Sequence, residues 1–370
     1  MGILIGLTEL LLYLSFSLLM GSLILLLVPD HLKPPVRIDQ RLIQACALLV
    51  TFGSFLPVLP IVDLLASSRG WGSAFIQVIF EFAVGRAFLL TALFSMLLLL
   101  IWTTKGVKEK TGLLYVSLGL VAAMTASYSM AAHAASIGGA SGHVFHTLHF
   151  LGASVWIGLL LMVSWFAVSK KNWGSFLRWY TPTAVSSLIV VFAAGYFTMS
   201  VDLYSFGSPD MNALEGYAQS LPSNYGQALL VKHLFVIGIL LFALVNGVLF
   251  RKKAGDQRFN PLPWTKAESG FALGAFALTS AMGRAGTPNQ EGTKGEEASF
   301  LYRAFTGESG SELIEVTMSF GPVSWMLGLI GSLFLLLTIA SAVKRPSLSI
   351  VTAAGSLMIV SFYLAVMTAV

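Results

Sequence analysis

Apolar residues run along this chain in blocks of about twenty, the length a helix needs to cross the hydrocarbon core of a bilayer, with charges, Pro/Gly clusters and short polar stretches between the blocks. The pattern predicts helices near residues 6–28, 42–66, 76–102, 112–134, 144–168, 180–200, 226–249, 267–283, 320–343 and 348–368. A transmembrane β-barrel would instead alternate apolar and polar residues over ten-residue segments. The expected fold is therefore all-α, a polytopic transmembrane helix bundle of about ten spans. The first block lacks the basic start of a signal peptide, carries Glu9 instead and runs too long for one, so it is read as a retained helix.

Composition agrees with the pattern. Of 370 residues, 56% are hydrophobic and only 11% charged, whereas a soluble domain carries roughly 25% charged residues. A soluble globular enzyme is excluded, and the lipid bilayer is the chain's main partner. The single cysteine, Cys46, excludes an internal disulfide and any CxxC site, and its apolar surroundings make it a packing residue.

The net charge of +5 reports orientation and not a nucleic-acid partner. Lys33, Arg37, Arg41, Lys105, Lys108, Lys110, Lys170, Lys171, Arg178, Arg251, Lys252, Lys253, Arg258, Lys266, Lys344 and Arg345 all fall in loops on one side of the predicted bundle. The other side holds Arg69, Arg284, Lys294 and Arg303. By the positive-inside rule this asymmetry places both termini outside. Two outer loops, 201–225 and 284–318, carry an excess of Asp and Glu, which favours cations near that face. Four parts result: residues 1–110 with three spans, a histidine-bearing core over 111–283, an acidic loop over 284–319 and a two-helix part over 320–370.

The candidate chemistry lies in the histidines. His31 is in the first inner loop, while His133, His143, His146, His149 and His233 all map to the outer half of the membrane or its rim. His149 lies about 9 Å below His143, and His233 roughly 10 Å below the start of its helix, at 1.5 Å per residue. An ionisable ring inside a span usually faces a functional interior, and imidazole is the commonest metal ligand. A lone one can equally well serve only to hydrogen-bond a neighbouring helix. His133, His149 and His233, on three separate spans in the outer third, could converge on one ion if those spans pack together, with His143 and His146 on the approach. Met130, three residues before His133, could add a thioether to a Cu(I) site.

Glu81 and Arg86 are charges inside the third span. Five residues apart on one helix they point about 140° away from each other and should not pair along a face. An interhelical polar pair and a role in ion passage both remain open for them. No Walker loop, HExxH or GxSxG is present, so neither nucleotide-driven transport nor enzymatic activity is expected.

The stretch from Ala132-His133-Ala134 to Leu148-His149-Phe150, followed by Val155-Trp156-Ile157-Gly158, resembles the CopD family of copper-resistance membrane proteins. That family has a helix ending in Gly-His-Ala, then a helix with Leu-His and a Trp-Ile/Val-Gly-Gly turn. Tyr225-Gly226-Gln227-Ala228-Leu229-Leu230-Val231-Lys232, trailing to Asn246, resembles its Tyr-Gly-x-x-Leu-Leu-x-Lys helix, and Glu268 matches a glutamate often found there. Ala132 stands where the family has glycine, which leaves Gly142-His143 as a rival alignment, and Leu159 replaces the second glycine after the tryptophan.

The resemblance covers roughly residues 115–283 and implies a multi-pass bacterial inner-membrane protein of copper homeostasis. The metal would be Cu(I) or Cu(II), and the direction import, since an outer cluster is placed to receive copper from outside. With no CopC-like domain in the sequence, copper delivery would fall to a separate extracytoplasmic CopC-like protein. A second reading stays open: histidines facing across a bundle also hold a b-type haem, which would make the chain a membrane electron carrier or oxidoreductase.

The charge asymmetry generates a direct test. A cysteine introduced beside Arg178 should react with membrane-impermeant reagents only from inside, and one within 201–225 only from outside. The reverse pattern would invert the topology and move the histidines to the cytoplasmic half.

Overall fold

The computed structural model describes residues 2–204, 213–249, 259–285, 298–307, 316–344 and 347–370. Among them the only strand-like pairing is an isolated bridge between Val36 and Ala167. The helices in chain order are α1 (Gly2–Leu27), α2 (Gln40–Phe55), α3 (Val58–Arg69), α4 (Trp71–Glu81), α5 (Ala83–Ile101), α6 (Thr111–Ser129) and α7 (His133–Phe166). They continue with α8 (Trp173–Tyr204), α9 (Ala213–Ser220), α10 (Asn224–Leu244), α11 (Leu262–Ala285), α12 (Phe300–Thr306), α13 (Pro322–Lys344) and α14 (Leu348–Met367).

Nine helical segments among the described residues are long and apolar enough to cross a membrane: Gly6–Leu27, Gln40–Arg69, Ala83–Ile101, Thr111–Ser129, His133–Phe166, Trp173–Val201, Asn224–Gly247, Pro322–Ala342 and Leu348–Met367. The polytopic helical architecture expected from the apolar blocks is thus present. The tenth predicted span, 267–283, does form a helix, α11, but Glu268 lies within it and Lys266 and Arg284 flank it, so it falls short in hydropathy. Residues 205–212, 286–297 and 308–315 of the acidic loops lie outside the described residues, as do Arg251, Lys252, Lys253, Arg258, Lys294 and Arg345 of the charge count.

The chain divides into two compact units, Met1–Val201 and Asp202–Val370. The division falls inside the 111–283 stretch that the sequence pattern groups as one core.

In the first unit α1 is apolar on every side, and a helix of that kind belongs in an interior. Leu12, Phe16, Leu19 and Leu23 are fully buried against α2, α6 and α7. Two of its serines find partners close by: Ser15 Oγ donates to Leu11 O at 2.7 Å and Ser22 Oγ donates to Met162 Sδ at 3.2 Å. Where α1 crosses α7, backbone meets backbone. A Cβ on Gly21 would stand 2.2 Å from Gly158 O, and one on Gly158 would stand 2.1 Å from Ser17 O. Small residues permit such approach where lipid supplies no hydrophobic drive between helices. In the same core Trp102 is fully buried and its Nε1 donates to Ser117 Oγ at 3.1 Å.

Three predicted spans are broken. The helix expected over 42–66 stops at Phe55 and resumes at Val58, around Pro57. The helix expected over 76–102 is interrupted at Phe82, whose backbone is extended (φ −89°, ψ 148°), leaving α4 and α5 on either side. The chain folds sharply there because residue 85 is glycine: a Cβ would lie 2.1 Å from Val78 O. The span expected over 112–134 ends at Ser129, and α7 begins at His133.

In the second unit α10 packs on α11 and α14, and α13 lies along α14. The extramembrane pieces are tied to this unit's own helix ends. Ser299 N donates to Pro222 O at 2.7 Å, Gln219 exchanges hydrogen bonds with the backbone of Val316, and Ser319 N donates to Ala369 O at 2.6 Å.

The glycine crossing predicts a graded response. Gly158→Ala forces a methyl group into the α1 backbone and should cost about 1–3 kcal/mol of stability. Gly72→Ala, in a helix with nothing within 4 Å of the new atom, should be neutral or stabilising by up to about 1 kcal/mol. Thermal unfolding of the two variants in detergent checks the difference.

Candidate functional site

Four of the histidines lie at the start of α7, in the first unit. The sequence pattern puts His133 at the end of the preceding span with Met130 on the same face. Instead Met130 caps the C-terminus of α6, Ala131 and Ala132 turn the chain, and His133 is the first residue of α7. The turn between them removes the i,i+3 relation, which needs a continuous helix. Gly139 then takes φ 57°, ψ −134°, a conformation that a side chain would resist, and splits α7 into a short opening piece and a long one. Gly142 packs so tightly on the opening piece that a Cβ would stand 1.7 Å from Ala134 O. The glycines between the two predicted spans therefore make a tight reversal that carries His133 back over the mouth of the long piece.

His143, His146 and His149 follow on that long piece and are all half-buried. His143 and His149 point about 120° apart around the helix axis, and each reaches a different neighbour. His143 Nε2 donates to Ala126 O of α6 at 2.8 Å, and His149 Nδ1 donates to Val191 O of α8 at 2.9 Å. A backbone carbonyl can only accept, so the N–H is placed on the ring nitrogen that faces it. In the neutral ring the other nitrogen, Nδ1 of His143 and Nε2 of His149, carries the lone pair. Metal-bound histidines are held in this way, one nitrogen tied to a carbonyl and the other presented to the ion. Gly195 makes the α8 contact possible, since a Cβ there would come within 2.9 Å of the His149 ring. Beside it Phe145 and Phe197 stack with centroids 4.3 Å apart.

Sequence reasoning located these imidazoles but not their partners. Carbonyl acceptors carry no residue signature; the only trace is a glycine, Gly195, placed in an apolar run where a ring has to fit.

His233 belongs to the second unit. Its Nδ1 lies 3.1 Å from Tyr217 Oη, with the rings 5.7 Å apart. Tyr217 stands on α9, and burial pushes its phenol well above the ordinary tyrosine value, which keeps the hydroxyl protonated as a donor. Nearby in the same unit, Gln227 is buried, donates to Leu221 O at 2.6 Å and accepts from Tyr363 Oη at 2.7 Å. The set His133, His149 and His233 is thus divided, two in the first unit and one in the second. Among the described residues no three of His, Cys, Asp and Glu assemble into a metal-holding group. His31 is exposed in a short 3-10 turn, Asp30–Leu32.

The other charges are accounted for differently than the spacing implies. Because α4 ends before Phe82, Arg86 sits in the first turn of α5, where its Nη1 donates to Glu81 O at 2.7 Å and caps α4. The Glu81 side chain accepts from Gln77 Nε2 at 3.0 Å, and Gln77 Oε1 accepts from Arg69 Nη1 at 2.7 Å. The expectation that Glu81 and Arg86 face apart assumed one unbroken helix.

In the second unit the π-helical turn Val245–Leu249 extends α10 and presents Asn246 to Glu268 of α11. Asn246 Nδ2 donates to Glu268 Oε2 at 2.7 Å, and Glu268 is only 2% exposed. The Oδ1 of Asn246 is buried with no hydrogen-bond partner among the described residues.

This arrangement of apolar helices with a few inward polar groups defines a multi-pass membrane protein. Over 137 residues the chain is 27% identical to the inner membrane protein YebZ of Escherichia coli (strain K12), a stretch covering 36% of this chain and 44% of that protein. The match therefore spans less than half the length of that relative. The chain is accordingly a multi-pass inner-membrane protein. No family model matches it, and no solved structure does.

The buried pair in the second unit can be tested alone. Glu268→Ala removes the acceptor for Asn246 Nδ2 and should cost about 1–3 kcal/mol, the penalty for stranding a buried polar group. Glu268→Gln keeps an acceptor oxygen and should cost less. Equal losses in thermal unfolding would mean that the hydrogen bond carries no stability.

Proposed function

We propose that this chain is a copper transport protein of the bacterial inner membrane, importing copper through imidazole and thioether ligands in the outer half of the bundle. The observation that carries the reading is the fixing of His143 and His149 by backbone carbonyls, one of α6 and one of α8, which orients two imidazoles of α7. The CopD resemblance of residues 115–283 supports it, as does the acidic character of the loops on that side. In this reading His133, His143, His146, His149 and Met130 are the ligands of the first unit, and His233 is a ligand of the second. Copper is the cargo. A CopC-like protein would deliver it from outside, and the chain carries no chemistry for nucleotide hydrolysis.

Each tied imidazole has a definite part. It holds its ring plane by the N–H it donates, which leaves the lone pair on its other nitrogen, and needs no water to stay oriented. Handing an ion from a rim imidazole to a deeper one requires only exchange of one ligand at a time.

The b-type haem reading draws on His149 alone of the two, because an axial histidine is held by its Nδ1, the nitrogen that His149 gives to Val191 O. A visible spectrum and a metal count on the purified protein separate the two. Stoichiometric copper without a Soret band is expected, and expression in copper-limited cells should raise cell-associated copper. His149→Ala should abolish copper binding and uptake, while His31→Ala should change neither. A redox-sensitive Soret band would replace the transport reading with an electron carrier.

A further inference from the structure

Glu9 is the only charged residue among the 26 of α1. A carboxylate inside an apolar span persists only where something meets its charge. The contacts between α1 and α7 show what stands opposite. Gly21 lies on Gly158, Tyr13 and Phe16 both pack on Phe150 with ring centroids 5.6 Å and 5.1 Å away, and Ser22 donates to Met162.

Residue numbers rise in the same direction along both helices through these contacts, so the two run parallel, and the pairs Gly21/Gly158 and Tyr13/Phe150 share one register. Four residues before Tyr13 stands Glu9; four before Phe150 stands His146. Helix positions four apart lie on one face, so this register brings Glu9 and His146 to the same level on facing sides.

The third wall is α6. Tyr128 packs on Phe16 and Phe150 at 5.9 Å and 6.1 Å, its hydroxyl is hydrogen-bonded to that of Tyr13, and both hydroxyls feel the charge of Glu9. His143, one turn before His146, is tied to α6 through Ala126.

We propose that Glu9 and His146 are the paired ligands of a Cu(II) site between α1 and α7 in the first unit, with the Tyr13–Tyr128 hydroxyl pair beside it. This rests on the copper reading above and names the oxidation state taken in. A carboxylate with an imidazole is an N,O donor set, which suits Cu(II) and other divalent ions, whereas a thioether such as Met130 suits Cu(I). The carboxylate also cancels one of the ion's two charges in surroundings where an uncompensated charge is costly. A structural ion pair between the same residues would hold α1 to α7 but would show no preference for a metal.

The test uses the full-length protein in detergent, with Cu(II) followed by electron paramagnetic resonance and Ag(I), a mimic of Cu(I), followed by equilibrium dialysis. Wild type is expected to bind Cu(II) with a tetragonal N,O spectrum. Glu9→Gln should weaken Cu(II) binding by at least the ~10–100-fold typical of losing a group that merely orients a ligand while leaving Ag(I) binding unchanged, and His146→Gln should remove nitrogen coupling from the spectrum. Should Glu9→Gln fail to fold, Glu9→Asp keeps the charge, shortens the arm, and should shift the copper hyperfine splitting. Wild-type protein that binds neither ion overturns the copper reading itself. Wild-type binding of Cu(II), with affinity and spectrum unaltered in the Glu9 variants, overturns the assignment of Glu9 and leaves the copper reading standing.

Discussion

Backbone contact between Gly21 and Gly158 is the constraint from which the first unit takes its arrangement. Helices in lipid gain little from burying apolar surface against each other, so they associate where small residues let their backbones come close. Once these glycines touch, the register of α1 on α7 is set. Phe150 then falls among Tyr13, Phe16 and Tyr128, and the turn before it brings His146 to the level of Glu9. The direction in which each α7 histidine points follows from the same seating, His143 toward α6 and His149 toward α8.

Polar groups inside such a bundle are costly unless they find partners within the protein, because no water is available in the hydrocarbon region. Backbone carbonyls supply many of them. They accept from the two imidazoles, from Ser15 and from Arg86, whose guanidinium closes the end of α4. The same economy joins Asn246 to Glu268, where a π-helical turn aims the amide at a buried carboxyl. Such turns occur often at functional sites. For the histidines the consequence is chemical as well as structural, since the donated N–H determines which nitrogen is left to bind a metal.

Helix breaks place charge and chemistry at ends instead of along faces. The interruption at Phe82 turns Glu81 and Arg86 from two charges in one span into a capped helix end and the first turn of the next helix. The turn at Met130–Ala132 and the positive φ of Gly139 move His133 from one helix to the next. Each break depends on close backbone approach, which Gly85 and Gly142 allow.

Apolar blocks of membrane-crossing length were enough to read the helical class and most of the spans, because hydropathy is a property of residues taken singly and the bilayer imposes one length. The same reasoning located the histidines within the blocks, while Asn246 and Glu268 stood out only through the CopD resemblance. It could not read where a helix stops when the cause is a neighbour's backbone: neither Phe82 nor Ala132 carries a charge or a run of breakers that marks an end. Nor could it choose partners. That His149 faces Val191, that Asn246 meets Glu268, and that Glu9 comes level with His146 are outcomes of register between helices far apart in sequence, and only the tertiary structure sets that register.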